Sequence, residues 1–362
     1  MLLTTSVATL TFLAAAATIL SFLKIPHGFV RVFSFPRIQI LLVALGLLVV
    51  TFVWIEDGVL DAILVVTLVS VIVAQGFSIA QFTPLRGKES IQYEGDPDGP
   101  NTVSILSFNV KESNEKFALA IETTRRSDPD LALFMETDRK WADALEPLRE
   151  RYPHVVSHPL ENSYGMILFS RLELVEARVD YLVMDEVPSI VATVALRDGQ
   201  RFRLYCIHPE PPVPHVDSLG RDAELVVVAG LVENDTLPAL VTGDLNDVAW
   251  SNTTRLFQRL SRLLDPRVGR GFYNTFDARF FFLRWPLDHL FHDARFHLVE
   301  MKRMPASGSD HFPMYFKLAL TGRSDEAEMP DEADENDREE AREIRREGRK
   351  LERDPVGTDW EG

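Results

Sequence analysis

Three uncharged apolar runs crowd the start of the chain: Leu2–Leu23, Ile38–Ile55 and Ala62–Ala80, of 22, 18 and 19 residues. A helix rises about 1.5 Å per residue, so each run reaches roughly the ~30 Å of a bilayer's hydrocarbon core. A cleaved signal peptide is the other reading of the first run. It lacks a charged n-region, and it is longer than a usual apolar h-region. Three such runs in close succession are not what a water-soluble core needs. The spacing predicts three transmembrane helices, over about 2–23, 38–55 and 62–80, and residues 1–81 read as a membrane anchor.

Basic residues set the expected orientation. Lys24, Arg31 and Arg37 lie between the first two runs and Arg86 and Lys88 follow the third, whereas the loop around Glu56 and Asp57 has none. The positive-inside rule then puts residues 24–37 and everything after residue 82 in the cytoplasm, in a multi-pass protein of the inner (plasma) membrane. An extracytoplasmic placement is the alternative.

The overall composition conceals this segregation. Apolar residues make up 46% of the chain and charged residues 25%, as in an ordinary soluble protein, with a net charge of −16. Residues 323–362 alone carry 16 acids against 8 bases, half of that charge. Residues 321–362 have too few apolar groups to fold alone and read as a charged, disordered tail, within which 337–353 has the i,i+4 charge spacing of a solvated helix. The single cysteine, Cys206, excludes an intramolecular disulfide framework and a Cys-based zinc site, and reads as a small buried hydrophobe.

Between anchor and tail, residues 82–101 carry Gly95, Pro97, Gly99 and Pro100 and read as a linker. Strand-like runs are expected at 102–110, 130–137, 164–170, 173–182, 189–196, 201–207, 237–244, 287–292, 295–303 and 313–320. Helical runs fall at 114–127, 138–150, 221–232 and 252–264. This alternation over 102–320 predicts one α/β domain with a large sheet core.

Polar residues follow several of these strands: Asn109, Glu136, His208, Asp244 with Asn246, Asp288, and Asp310 with His311. Each alone reads as a turn former or a satisfied histidine. Together, at strand ends, they can converge at one rim of a sheet. His289, Asp247 and His292 read as structural neighbours.

SFNV (107–110), LFMET (133–137), GMILFSR (165–171), IHPEPP (207–212), GDLND (243–247), PLDHLF (286–291) and GSDHFP (308–313) occur in that order. Together they resemble the endonuclease/exonuclease/phosphatase superfamily, the DNase I-like fold, over residues 102–320. Three N-terminal spans ahead of such a domain look like its membrane-anchored bacterial members. The resemblance implies a four-layer α/β/β/α sandwich and metal-dependent cleavage of phosphate esters or anhydrides by in-line attack of an activated water, with Mg²⁺, or Mn²⁺, as cofactor. It implies Glu136 and Asn109 as the metal site, with Asp310 supporting the metal or its waters. Asp244 corresponds to the base, and Asn246, His208 and His311 to phosphate-binding groups. Asp288 would orient His311. Hard oxygen ligands suit Mg²⁺, which keeps several waters.

The motifs for this shared chemistry do not choose a substrate. Residues 82–322 carry a net charge of −8 and lack the broad basic footprint of a tight nucleic-acid binder. Residues 255–303 are locally basic, with ten Lys/Arg against five acids, and hold Phe272, Tyr273, Phe276, Phe280, Phe281, Phe282 and Trp285. Arginine beside aromatic rings suits nucleic acid or the bilayer interface; packing on the sheet is the plain structural alternative. With three expected spans close by, the reading is a phosphoesterase for a membrane-associated lipid phosphate or pyrophosphate. Its expected partners are the bilayer and a phosphate-bearing substrate, lipid-linked rather than nucleic acid, and no protein partner is predicted. The alternatives are a membrane-tethered nuclease acting on DNA or RNA and a catalytically silent phosphate-ligand sensor.

Overall fold

The computed structural model describes residues 2–54, 58–322 and 329–358. Three helices, α1 (Leu2–Phe22), α3 (Arg37–Trp54) and α4 (Val59–Ile79), are long and apolar enough to cross a membrane. A single turn, α2 (Gly28–Arg31), lies between the first two. The end of the second run at Ile55 and the loop around Glu56 and Asp57 fall outside the described residues. Helix α4 starts earlier than its apolar run because Asp61 sits in its first turn, where a carboxylate favours the helix dipole. The three helices pack through Val7, Ala14, Ala44, Leu47, Leu64, Leu68 and Val71. Outward they expose Phe12, Leu42, Phe52, Val66 and Phe77, a surface suited to lipid.

The remaining strands are β1 (Thr102–Asn109), β2 (Leu131–Met135), β3 (His154–His158), β4 (Met166–Ser170), β5 (Glu173–Asp180), β6 (Ser189–Ala195), β7 (Arg201–Cys206), β8 (Ala239–Asp244), β9 (Asp288–His292), β10 (Phe296–Arg303) and β11 (Met314–Leu320). The helices are α5 (Phe117–Ser127), α6 (Arg139–Leu145), α7 (Leu219–Glu233), α8 (Asn252–Ser261) and α9 (Glu335–Gly348). Strand β3 escapes the sequence reading because HVVSH is short and neither alternates cleanly nor runs fully apolar.

These strands form a six-stranded sheet in the order β10-β11-β1-β2-β4-β3 and a five-stranded sheet in the order β5-β6-β7-β8-β9. Period-two alternation sends Val103, Ile105, Leu131 and Leu133 of one sheet, and Ile190, Ala192, Leu204 and Leu240 of the other, into a shared core. The opposite face of the first sheet carries Leu106, Phe108, Phe134 and Phe169 against Ala120 of α5 and Trp141 of α6. The opposite face of the second carries Val191, Tyr205 and Val241 against Leu225 of α7 and Phe257 of α8. The result is the expected four-layer α/β/β/α sandwich, with the three apolar helices ahead of it.

Two connecting segments differ from their sequence expectations. Residues 82–101 are not a free linker: Leu298 N donates to Ile91 O (2.8 Å), Tyr93 N to Leu298 O (2.8 Å), and Asp265 N to the Glu89 carboxylate (2.9 Å). The tail is not disordered over its described part. Helix α9 starts with a capping box built by Asp334 and Asp337. It seats Ala341 and Ile344 in the cluster of α7 and α8, and Asp337 accepts both forks of Arg259 at 2.7 Å. A helix polar on three sides needs only one narrow apolar edge and a few ion pairs to dock, which composition averages hide. The rest of that segment lies outside the described residues.

Candidate active site

Every polar residue singled out in the sequence lies at one rim of the sandwich, reached from both sheets. Asn109 ends β1, Glu136 follows β2, His208 follows β7 and Asp244 ends β8. Asp288 begins β9, and Asp310 and His311 precede β11. The last three do not follow strands as expected. They share the rim because β9 runs antiparallel to β8 and β11 antiparallel to β1, so their starts meet the ends of those neighbours.

The backbone at the rim takes conformations that strands do not. Glu136 (φ 56°), Lys111 (φ 62°) and Asn246 (φ 50°) are left-handed, an arrangement that costs a non-glycine residue energy and gathers at functional sites. Gly243 has φ 147°, and a Cβ there would stand 1.9 Å from Ile207 O, so only glycine lets the end of β8 press against the residues leading to His208.

Asn109 lies between the two principal carboxylates. Its amide donates to Glu136 Oε1 (2.6 Å) and Asp244 Oδ2 (3.0 Å), while its oxygen accepts from Lys111 N (3.0 Å). His208 Nε2 is 4.0 Å from both Glu136 Oε1 and Asp244 Oδ2. His311 Nε2 lies 3.4 Å from Asp244 Oδ2, and its Nδ1 donates to Asp288 Oδ2 at 2.8 Å. Asp244 Oδ1 accepts from Asn246 N (2.9 Å), and the Asn246 amide donates to Pro209 O (2.9 Å). Asp310 accepts from Lys111 Nζ at 2.8 Å. Among the described residues, His208 Nδ1 and Asp288 Oδ1 are buried and have no hydrogen-bond partner.

This crowding separates the protonation states. Burial alone would lower the His311 imidazolium, but the Asp288 and Asp244 carboxylates override it and hold the ring protonated to about pH 10. Burial lowers His208 to about 4, leaving it neutral. Burial raises Glu136 to about 7, against the pull of Asn109 and His311. Burial raises Asp244 too, with His311 opposing. Asp310 is held low: His311 and Lys111 outweigh its burial.

Hard oxygens dominate the donor set, and an imidazole with an acid partner stands beside them. The side-chain polar atoms of Asp244, Asp288 and His311 lie within 4.8 Å of one another, with the His311 imidazolium an acid beside the two carboxylates rather than a metal ligand. The carboxylate of Glu136, costly to ionise in its pocket, gains most from a nearby cation. These residues fit a divalent ion.

Residues 106–311 match the sequence profile of the Endonuclease/Exonuclease/phosphatase family. The chain belongs to that family. Enzymes of this family are divalent-metal dependent, and this chain is a phosphoesterase- or nuclease-type hydrolase. No curated protein sequence matches the chain. Among solved structures, D. rerio TDP2 complexed with a single strand DNA product is similar over 60% of this chain and 98% of its own, at 16% identity and TM-score 0.51. The human Nocturnin catalytic domain with bound sulfate covers 61% of this chain and 94% of its own, at 16% identity and TM-score 0.49. A Bacteroides thetaiotaomicron mannosyl-6-phosphatase covers 60% and 99%, at 19% identity and TM-score 0.46. The first of these likenesses shows a shared fold.

The site also holds residues that the sequence did not assign to it. Lys111 follows the family's SFNV segment and meets Asp310. The Phe276 ring lies 4.9 Å from that of His311, and the Tyr164 ring 5.6 Å from that of His208. Lysine immediately after the strand motif was a legible signal; Phe276 reads only as part of an arginine/aromatic stretch, and Tyr164 reads as core. A cavity of about 530 Å³ opens over this cluster. Its walls include Val32, Phe35 and Pro36, from between α1 and α3, and Val356 and Gly357 near the C-terminal end.

Proposed function

We propose that this family member is a membrane-anchored phosphoesterase that hydrolyses a lipid-linked phosphate ester or pyrophosphate. One observation carries the reading. The cavity over Asp244 and His311 is walled on one side by Val32, Phe35 and Pro36, the segment joining two helices of membrane-spanning length, and it continues over Pro211, Pro212, Phe276, Trp285 and Leu287. A phosphate group can meet the polar floor while an apolar chain lies along that wall.

In this mechanism Glu136 and Asn109 would hold a divalent ion, Mg²⁺ or Mn²⁺, and Asp310 would support it or its waters. When bound there, such an ion would supply positive charge to a phosphoryl oxygen. Asp244, aimed by Asn246 N and the Asn109 amide, accepts a proton from the attacking water. The His311 imidazolium, held protonated by Asp288, donates to a phosphoryl oxygen as negative charge builds there. Neutral His208 offers a second N–H, and Asn246 fixes the phosphate on the other side. Catalysis then rests on positioning and charge. The Lys/Arg distribution favours a site on the cytoplasmic face, with an extracytoplasmic site as the alternative. A docked segment 27–31 fits residues 24–36 and the sandwich lying on one side: Gly28 N donates to Val216 O at 2.8 Å.

The test is phosphate release by the purified full-length protein in vesicles. With Mg²⁺ it should free phosphate from a polyprenyl or diacylglycerol phosphate or pyrophosphate, and Asp244→Asn should not. Cleavage of duplex or single-stranded DNA with no release from any lipid overturns the lipid reading in favour of a tethered nuclease.

A further inference from the structure

Three consecutive phenylalanines stand exposed at the tip of a hairpin: Phe280, Phe281 (81% exposed) and Phe282, followed by Leu283. The hairpin's base is closed by Phe276 N donating to Trp285 O (3.0 Å) and by the reciprocal Trp285 N to Phe276 O bond. Asp277 N donates to Leu283 O (3.2 Å), and Arg279 and Arg284 clamp the turn onto Asp277 and Ala278. The tip is therefore a held loop that presents its rings outward. A soluble surface gains nothing from such a patch.

Two contacts locate it. Gln39, in the first turn of α3, donates to Phe282 O at 2.9 Å, so the tip lies beside the start of a helix of spanning length whose Leu42 and Val43 are also exposed. At the other end the hairpin joins the catalytic cluster. Ala278 N donates to Asp310 O (2.7 Å), Phe276 packs on His311, and Trp285 meets Phe35 with ring centroids 5.8 Å apart. The exposed rings thus continue the apolar surface of α3, while the base forms a wall of the catalytic cavity.

We infer that the 276–285 hairpin inserts its Phe280–Leu283 tip into the interfacial layer of the bilayer beside α3, so that the cavity mouth is held at the membrane surface and substrate enters without crossing water. The inference rests on the membrane reading given above for α1, α3 and α4, and it adds a second, non-spanning contact with lipid. The hairpin sets access to the site and takes no part in the chemistry.

A fluorophore tests it without relying on activity. Cys206 is fully buried, so Phe281→Cys offers a selective thiol in the full-length protein. Labelled with an environment-sensitive dye and reconstituted in phosphatidylcholine/phosphatidylglycerol vesicles, position 281 should emit to the blue and be quenched by lipids carrying a spin label near the headgroup. A label at Asp198→Cys, in an exposed turn, should show neither. Emission at 281 that matches the Asp198→Cys control, or is shifted but unquenched by spin-labelled lipid (a protein partner), overturns the inference. In a second arm, the combined Phe280→Ser, Phe281→Ser and Phe282→Ser variant should lose about tenfold in kcat/KM on lipid phosphate in vesicles. It should keep its activity on a water-soluble nitrophenyl phosphodiester. Equal losses on both substrates overturn the access role. If the wild type releases no phosphate from lipid, the lipid-substrate proposal fails by itself, and the quenching result still decides the hairpin.

Discussion

Arg31 Nη2 lies 2.8 Å from Asp222 Oδ2, and both side chains are almost wholly buried. The pair joins the segment between α1 and α3 to α7. Asp222 also takes both forks of Arg221, at 3.0 and 2.8 Å, and Arg221 Nη1 donates to Asn246 O at 3.1 Å. An unbroken line of hydrogen bonds therefore runs from the segment between α1 and α3 to the proposed phosphate-binding loop. Breaking a buried pair by removing one partner typically costs about 3–5 kcal/mol, because the other charge stays buried. Arg31→Met should sit near the lower end, since Asp222 keeps Arg221, and should lower kcat several-fold by loosening Asn246. Arg31→Lys should recover part of both. Thermal unfolding and kcat of the purified variants decide it; a wild-type Tm and rate for Arg31→Met would remove the connection.

The Asp288–His311 pair predicts a pH shift. His311 is held protonated to about pH 10 largely by the Asp288 and Asp244 carboxylates. Asp288→Asn removes one of them and should move the alkaline limb of the kcat profile down toward neutrality, with a smaller loss at pH 6 than at pH 8. A uniform loss at every pH would mean that Asp288 acts through packing alone.

Metal binding should be proton-linked. Burial raises Glu136 to about 7, so below that pH an incoming cation must displace its proton. Mg²⁺ or Mn²⁺ affinity, by titration calorimetry, should rise nearly tenfold per pH unit below 7 and flatten above it. Glu136→Gln should abolish this slope and most of the affinity, and a chelator should silence the wild type.

Stability should also respond to pH through Glu224. Burial raises its carboxyl to about 8, and Oε1 accepts from Ser189 Oγ at 2.7 Å. Between its unfolded value of about 4.5 and 8, the folded chain binds the extra proton, so this group's contribution to stability falls as pH rises. Glu224→Gln should be close to neutral at pH 5 and more stable than wild type at pH 8.5, by on the order of 4 kcal/mol at most. Parallel Tm–pH curves for the two proteins would refute the assignment.

The C-terminal segment should be structural. Arg353 binds the buried Glu210 at 2.7 and 3.0 Å and also reaches Asp217 at 3.2 Å, and Val356 N donates to Glu210 Oε1 at 2.7 Å. Tyr164 donates its hydroxyl to Val356 O. Arg353→Met leaves Glu210 without its main counter-charge and should cost about 2–4 kcal/mol, read as a lower Tm. A chain ended after Thr321 should lose more. An unaltered Tm in both would return the segment to the disordered tail its composition suggests.

Much of the fold was legible because its signals are local. Runs such as LALFM and SIVATVA must be buried strands, and the three N-terminal runs cannot be surface helices. Strand β3 was missed because HVVSH carries no period, and the docking of α9 because its apolar edge is two residues, Ala341 and Ile344, in a charged run. The candidate site was legible as a set: Asn109, Glu136, His208, Asp244, Asn246, Asp288, Asp310 and His311 all reach the rim. That Asp288 and Asp310 would arrive from strand starts was not, since strand direction is set by sheet pairing.

By itself, the sequence determined which segments are apolar enough to span a membrane, which form the sandwich, and which polar residues carry the family's motifs. Those properties depend on residue type and on neighbours a few positions away. Only the tertiary structure decided that Asn109 bridges Glu136 and Asp244, that His311 keeps its proton while His208 loses its own, and that Val32, Phe35 and Pro36 wall the cavity. Each of these depends on a charge or a surface brought close from a distant part of the chain. Distance and burial govern electrostatics and apolar contact, and the chain order records neither.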